Sequence, residues 1–330
     1  MKHTSVLLSF FLITEYILAQ TQPLQPTAGY GSNNYKFKTV IKINCDDGSK
    51  GFWLYLPENP HPDSAAVVVF NHSYGAYNPM CYGAWINHLV RRGNIVIFPR
   101  YQKNLLGQPS EYTANDAAAI IRAIDTLHAH RFYTQPELDN LFIAGHSFGG
   151  VIAANLASEY SKYFLPKPKG IFLACPGTEG YDSGRISSYS DIDSSIKMII
   201  IIEHDDNNVD SSFALELFNT SKLISPSNKN LIYHFADNRG KPAITSSNSE
   251  PTSLDRSFDS GERGFVNTLT VLSSKTDATD YYCYWKLLDA LIDCASNGKG
   301  CSTAFGNTDK QKFMGMWQET NIPVRPLEVK

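Results

Sequence analysis

Gly145-His146-Ser147-Phe148-Gly149 sets one serine between two glycines. A serine hydroxyl is a weak nucleophile until a base takes its proton, and it must also be presented to its substrate. The neighbouring residues suit that presentation. Leu141-Phe142-Ile143-Ala144 reads as a short buried strand, and Val151-Ile152-Ala153-Ala154 as the start of a helix. A tight strand–turn–helix of this kind lifts the serine of a G-x-S-x-G motif above a sheet, at the positive end of a helix. The flanking glycines remove side chains that would collide with nearby backbone. The chemistry suited to Ser147 is acyl transfer. His146 is expected to point away on so sharp a turn and to pack or bond a loop.

The elements that must position Ser147 follow from the apolar pattern. Strand-like runs cover residues 52–56, 65–70, 94–98, 140–144, 169–175, 197–202 and 231–236. Between them lie helical patterns over residues 80–92, 115–130, 151–160 and 212–218, with a last amphipathic helix over 281–294. In the second of these, Ile120, Ile121, Ile124 and Leu127 form one stripe. Short apolar strands alternating with helices predict a mostly parallel central sheet with helices on both faces. Residues 177–195 and 237–261 read as long loops, which in compact domains are often functional. No internal repeat is visible.

Composition bounds the function. Of 330 residues, 42% are hydrophobic and 18% charged, enough to bury a large core. The net charge is -3 without a basic block, which argues against a nucleic-acid partner. Lys2, then an apolar stretch over residues 6–19 interrupted by Glu15, reads as a signal peptide spanning residues 1–20. It is too short and too charged for a membrane span. The expectation is a secreted protein, extracellular or periplasmic, with residues 21–330 forming a single domain and no transmembrane segment.

Six cysteines in an oxidising compartment favour disulfides. Cys283 and Cys294, on one helix, stand roughly 16 Å apart at a rise of about 1.5 Å per residue, too far to bond. Cys294 with Cys301, across a glycine-containing turn, is the expected pair. Cys175 reads as a buried thiol at a strand end. No Cys/His cluster suggests zinc, and the reading calls for no cofactor and no metal.

With these residues in view, the chain resembles the α/β-hydrolase superfamily over most of residues 50–330. The likeness is strongest to secreted serine esterases of the chlorophyllase, polyester-hydrolase and platelet-activating-factor-acetylhydrolase kind. It rests on Asn71-His72-Ser73-Tyr74-Gly75 after an early strand, on Tyr82-Gly83-Ala84-Trp85-Ile86-Asn87-His88-Leu89, on Gly93-Asn94-Ile95-Val96-Ile97-Phe98-Pro99 and on the turn at Ser147. Phe305-Gly306-Asn307-Thr308 and Met314-Gly315-Met316-Trp317 add a resemblance in the tail. The resemblance implies hydrolysis of a small-molecule or lipid-like carboxylic ester through an acyl-enzyme at Ser147. It implies that the amides of Tyr74 and Phe148 hold the oxyanion, each such donor being worth roughly a hundred- to thousandfold in rate. Ser73 stands where the family usually has glycine.

The same resemblance sets the order serine, acid, histidine. The family's Gly-x-x-Asp-x-x-Val frame puts the acid at Asp206, with Val209 three residues on and Asp205 as the alternative. Only His234 follows as a base, and it lies inside a strand-like run. In the next loop, where the family's histidine stands three residues before a proline, this chain has Asn248 and then Pro251. Asparagine cannot take a proton from serine at neutral pH. Two readings stay open: a serine ester hydrolase, impaired at its base and relying on His234 or an unidentified group, and an inactive descendant (a pseudoenzyme) that binds a ligand or partner. Oligomeric state is not readable. Asn71-His72-Ser73 is a glycosylation sequon at a buried strand end; Asn219-Thr220-Ser221 is the more suitable acceptor.

Overall fold

A computed structural model describes residues 20–330 apart from positions 47, 179, 207 and 208. The signal-peptide expectation falls almost wholly on residues 1–19, outside the described residues. The chain runs β1 (Thr39–Cys45), β2 (Phe52–Glu58), β3 (Ser64–Asn71), α1 (Gly83–Arg92), β4 (Ile95–Pro99), α2 (Pro109–Ala129), β5 (Gln135–His146), α3 (Phe148–Glu159) and β6 (Gly170–Ala174). It continues through β7 (Lys197–Glu203), α4 (Ser212–Thr220), β8 (Lys229–His234), α5 (Phe265–Ser273), α6 (Trp285–Asn297), α7 (Cys301–Ala304), α8 (Asp309–Lys312) and β9 (Glu328–Val329).

The nine strands form one sheet in the order β1-β2-β4-β3-β5-β6-β7-β8-β9. Strands β4, β3, β5, β6, β7 and β8 pair in parallel; β1, β2 and β9 join antiparallel. The expected mostly parallel, doubly covered sheet is therefore present. Its strands lack polar alternation because both faces are packed. In β7, Ile200 and Ile202 face the helices α2, α3 and α4, while Ile199 and Ile201 face α1 and α6. Truncating a wholly buried isoleucine such as Ile200 to alanine costs about 2–5 kcal/mol.

Local signals explain the helix ends. α1 stops at Gly93, whose φ of 110° is left-handed and whose amide bonds back to the last turn. α2 begins at Pro109, six residues before the apolar stripe suggests, because proline serves the first helical turn well. β5 begins at Gln135, earlier than its apolar run, and its register against β3 shifts between Ala66 and Val67. Cys294 and Cys301 form the expected disulfide, and Cys45, Cys81, Cys175 and Cys283 are free thiols. Cys175 is buried just after β6. No described helix is long and apolar enough to cross a membrane.

Candidate active site

Ser147 sits between the last residue of β5 and the first of α3, with φ 52° and ψ -118°. A side chain rarely holds that conformation, and it persists only where its surroundings over-determine it. Here the Ser147 amide donates to Ala174 O at 2.9 Å, and its carbonyl accepts from Gly150 at 2.9 Å and Gly177 at 3.3 Å. The flanking glycines are sterically required. A Cβ on Gly145 would lie 2.2 Å from Gly149 O, and one on Gly149 would lie 2.3 Å from Asn71 O. Ser147 is fully enclosed, with no exposed surface.

The close approach of Gly149 to Asn71 and His72 brings the loop after β3 against the turn. Tyr82 OH accepts from the Ser73 amide at 3.0 Å, and Gln102 Oε1 from the Gly75 amide at 2.8 Å. Between them, the Tyr74 amide has no acceptor among the described residues, and neither has the Phe148 amide at the first position of α3. Beneath this loop Asn71 Nδ2 donates to Asp116 Oδ2 at 3.0 Å. Burial pushes the Asp116 carboxyl well above the usual carboxylate range, so it is held as the neutral acid.

The two candidate acids separate. Asp205 is half exposed and pairs with His204 at 2.8 Å. Asp206 accepts from the Val209 amide at 3.2 Å and lines a small cavity with Cys175, Pro176 and Glu203. Cys175 and Pro176 directly follow β6, the strand whose last residue bonds Ser147.

His234 ends β8, with its Nδ1 donating to Glu203 Oε2 at 2.5 Å. The second Glu203 oxygen accepts from Tyr284 OH. Burial opposes a charge on His234, but the Glu203 carboxylate outweighs it and raises the imidazole's pKa. His234 Nε2 is buried and has no hydrogen-bond partner among the described residues. Its strand is three intervals of about 4.8 Å from β5. Glu203 was not among the residues the sequence motif frame selects, because that frame looks past the strand rather than at its last residue.

The loop after β8 crosses that distance. Ser246 Oγ donates to His234 O at 3.0 Å, and Thr245 and Ser247 donate to Glu250 at 2.7 and 3.0 Å. Burial raises the Glu250 carboxyl to about 7. Asn248 then reaches His146, whose Nε2 donates to the Asn248 carbonyl at 2.7 Å and lies 3.3 Å from its Oδ1. His146 Nδ1 is 2.9 Å from Tyr82 OH. A carbonyl only accepts, so Nε2 carries the ring proton and Tyr82 donates to Nδ1. Burial lowers the His146 pKa to about 4, keeping the ring neutral. His146 thus bonds a loop, as expected, and Asn248 is the residue of that loop it bonds.

A groove of about 490 Å³ opens beside these residues. Ser73, His146, Asn248 and Ser249 make its polar side; Val266 and Leu269 of α5 make an apolar wall. The sequence pattern assigns no element to α5, whose Phe265, Leu269 and Leu272 are exposed. An amphipathic search expects such side chains to face inward.

The chlorophyllase family model matches residues 32–173, which hold β1 to β5, the Tyr74 loop and the Ser147 turn. The segments carrying Asp206, His234 and Asn248 lie beyond the match. Comparison with curated proteins finds no match. The family match supports an ester hydrolase of the α/β type. The strand order, the strained serine turn and this match together show the α/β-hydrolase fold.

Proposed function

We propose that the chain is a secreted serine hydrolase of carboxylic esters that forms an acyl-enzyme at Ser147. The observation that carries this reading is the conformation of Ser147, φ 52° and ψ -118°, held by three backbone hydrogen bonds and two glycines that admit no side chain. Strain of this kind clusters where a side chain must be aimed, which supports Ser147 as the nucleophile. The Tyr74 and Phe148 amides would receive the oxyanion, Asp206 would be the acid, and the α5 wall of the groove suits the apolar part of a small or lipid-like ester. Export rests on the apolar N-terminal segment of the sequence. The base is the weak member: His234 is held by Glu203 three strands from β5, and Asn248 stands in the loop that returns to it. Acylation is therefore slow.

That same Asn248 favours a second reading, in which the fold is kept as a ligand-binding pseudoenzyme. A fluorophosphonate probe separates the two, because it reacts with an activated serine and not with an inert one. The ester-hydrolase reading expects slow labelling of the full chain at one site, lost in Ser147→Ala. A wild-type chain that stays unlabelled after prolonged exposure removes the hydrolase and leaves the binder.

A further inference from the structure

On α6, Lys286 is buried, with only 5% of its surface exposed. Its Nζ donates to two backbone carbonyls, Gln311 O at 2.9 Å and Phe313 O at 2.6 Å. No carboxylate lies within ion-pair distance of it among the described residues. A buried lysine without a counter-charge is costly, since the carbonyls offer only partial charges. Consistent with this, burial lowers its pKa to about 7. An ammonium has three donors, and two are used here.

Lys286 lines a cavity of about 520 Å³ together with Pro26, Tyr30, Tyr282 and Phe313. The aromatic walls turn their polar atoms away. Tyr30 OH donates to Asp293 at 2.6 Å, and Tyr282 OH to Leu24 O at 3.0 Å. Tyr282 and Phe313 meet edge to face with centroids 5.8 Å apart. At the rim, Asp309 and Lys310 oppose each other in sign, and the Asp309 carboxylate is drawn 3.6 Å from Lys312. The remaining charge is that of Lys286, at the base of an apolar space.

We propose that this cavity binds an apolar carboxylate, its head group paired with Lys286 Nζ and its hydrocarbon body laid on Tyr30, Tyr282 and Phe313. The carboxylate supplies the missing counter-charge and the third hydrogen-bond acceptor. The site shares no lining residue with the groove beside Ser147 and does not depend on any activity there.

Calorimetric titration of the full chain with decanoate, and with decanol as a neutral control, tests the site. Decanoate is expected to bind with one-to-one stoichiometry and at least ~tenfold more tightly than decanol, a preference that one desolvated charge pair readily supplies. Lys286→Met is expected to lose that preference. Absence of decanoate binding, or binding that survives the substitution unchanged, overturns the proposal. Should that variant misfold, the pH profile of the wild-type chain decides. The titratable and charged groups around Lys286 are Cys283 on its own helix and, among the lining residues, Tyr30, Tyr282, Asp309 and Lys310. Burial raises both phenols and the Cys283 thiol, Tyr30 to about 12, so Lys286 is the wall group expected to lose a proton just above neutrality. Decanoate affinity should be flat between about pH 6 and 7, where the ligand is ionised, and fall above pH 7 as Lys286 loses its proton. A profile that stays flat to pH 9 overturns the assignment.

Discussion

His146 Nε2 lies 2.7 Å from the carbonyl oxygen of Asn248, joining the end of β5 to a loop that leaves the sheet three strands away. The bond uses the backbone of residue 248, so it holds the loop whatever side chain stands there. The Asn248 side chain, with Oδ1 at 3.3 Å from the same nitrogen, is a weaker second contact. The fold therefore delivers position 248 to the serine strand and leaves its chemistry open to substitution.

Asn248→His places an imidazole where the loop returns to the Ser147 turn, on a backbone already fixed by His146. A positioned general base contributes roughly a hundred- to ten-thousandfold. Hydrolysis of an activated phenyl ester by this variant should rise within that range over the wild-type chain. Asn248→Ala, which keeps the carbonyl bond, should leave the rate where it was. Equal rates in the wild type and the histidine variant would show that the base at Ser147 is not what limits turnover.

The two glycines of the turn differ from ordinary flexible residues in what they touch. A methyl on Gly149 would lie 2.3 Å from Asn71 O and 2.4 Å from His72 O, both backbone atoms that no rotamer change can move. Gly149→Ala must therefore push α3 off the loop that carries Tyr74. The expected outcome is a loss of at least about 2 kcal/mol in denaturant unfolding, within the range of severe overpacking, together with loss of fluorophosphonate labelling. An alanine variant with unchanged midpoint and unchanged labelling would mean that the loop and turn are not in contact in solution.

What the sequence reveals here follows from how local each signal is. The strands β3 to β8 and the Ser147 turn are encoded within runs of five to twelve neighbouring residues, so apolar pattern and glycine spacing suffice. β1 escapes because it is a half-exposed edge strand whose polar residues mimic a loop. α5 escapes because Leu269 faces the groove and Leu272 faces solvent. The pairing of Glu203 with His234 and Tyr284 joins residues 31 and 81 positions apart, and only the register of β7 against β8 and the packing of α6 bring them together. Asn248 is legible as a missing histidine by resemblance, but its contact with His146, 102 residues away, is not.

Acid stability provides a test of the buried titrating groups, with the sign set by two opposing effects. Burial lowers His72 and His146 from 6.5 to about 4, whereas the unfolded chain protonates both near 6.5. Their contribution is whole above pH 6.5 and is lost as pH falls toward 4, about 3 kcal/mol for each ring at 1.36 kcal/mol per pH unit. Glu250 works in the opposite direction. Burial raises it to about 7 from 4.5, so its contribution is whole below 4.5 and is lost as pH rises toward 7, again about 3 kcal/mol. His234, with its pKa raised, is protonated in both states below 6.5 and adds no slope in that window. Asp116 and Asp280, whose carboxyls burial also raises well above the usual carboxylate range, act in the same direction as Glu250. Three carboxyls outweigh two rings, so the melting temperature should rise as pH drops from about 6.5 to about 4.5. Glu250→Gln removes one of the three and should make the profile nearly level, measured by thermal unfolding at half-unit steps of pH. A wild-type melting temperature that falls toward pH ~4.5 contradicts burial of the three carboxyls as neutral acids; a slope unaffected by the glutamine places the Glu250 proton elsewhere.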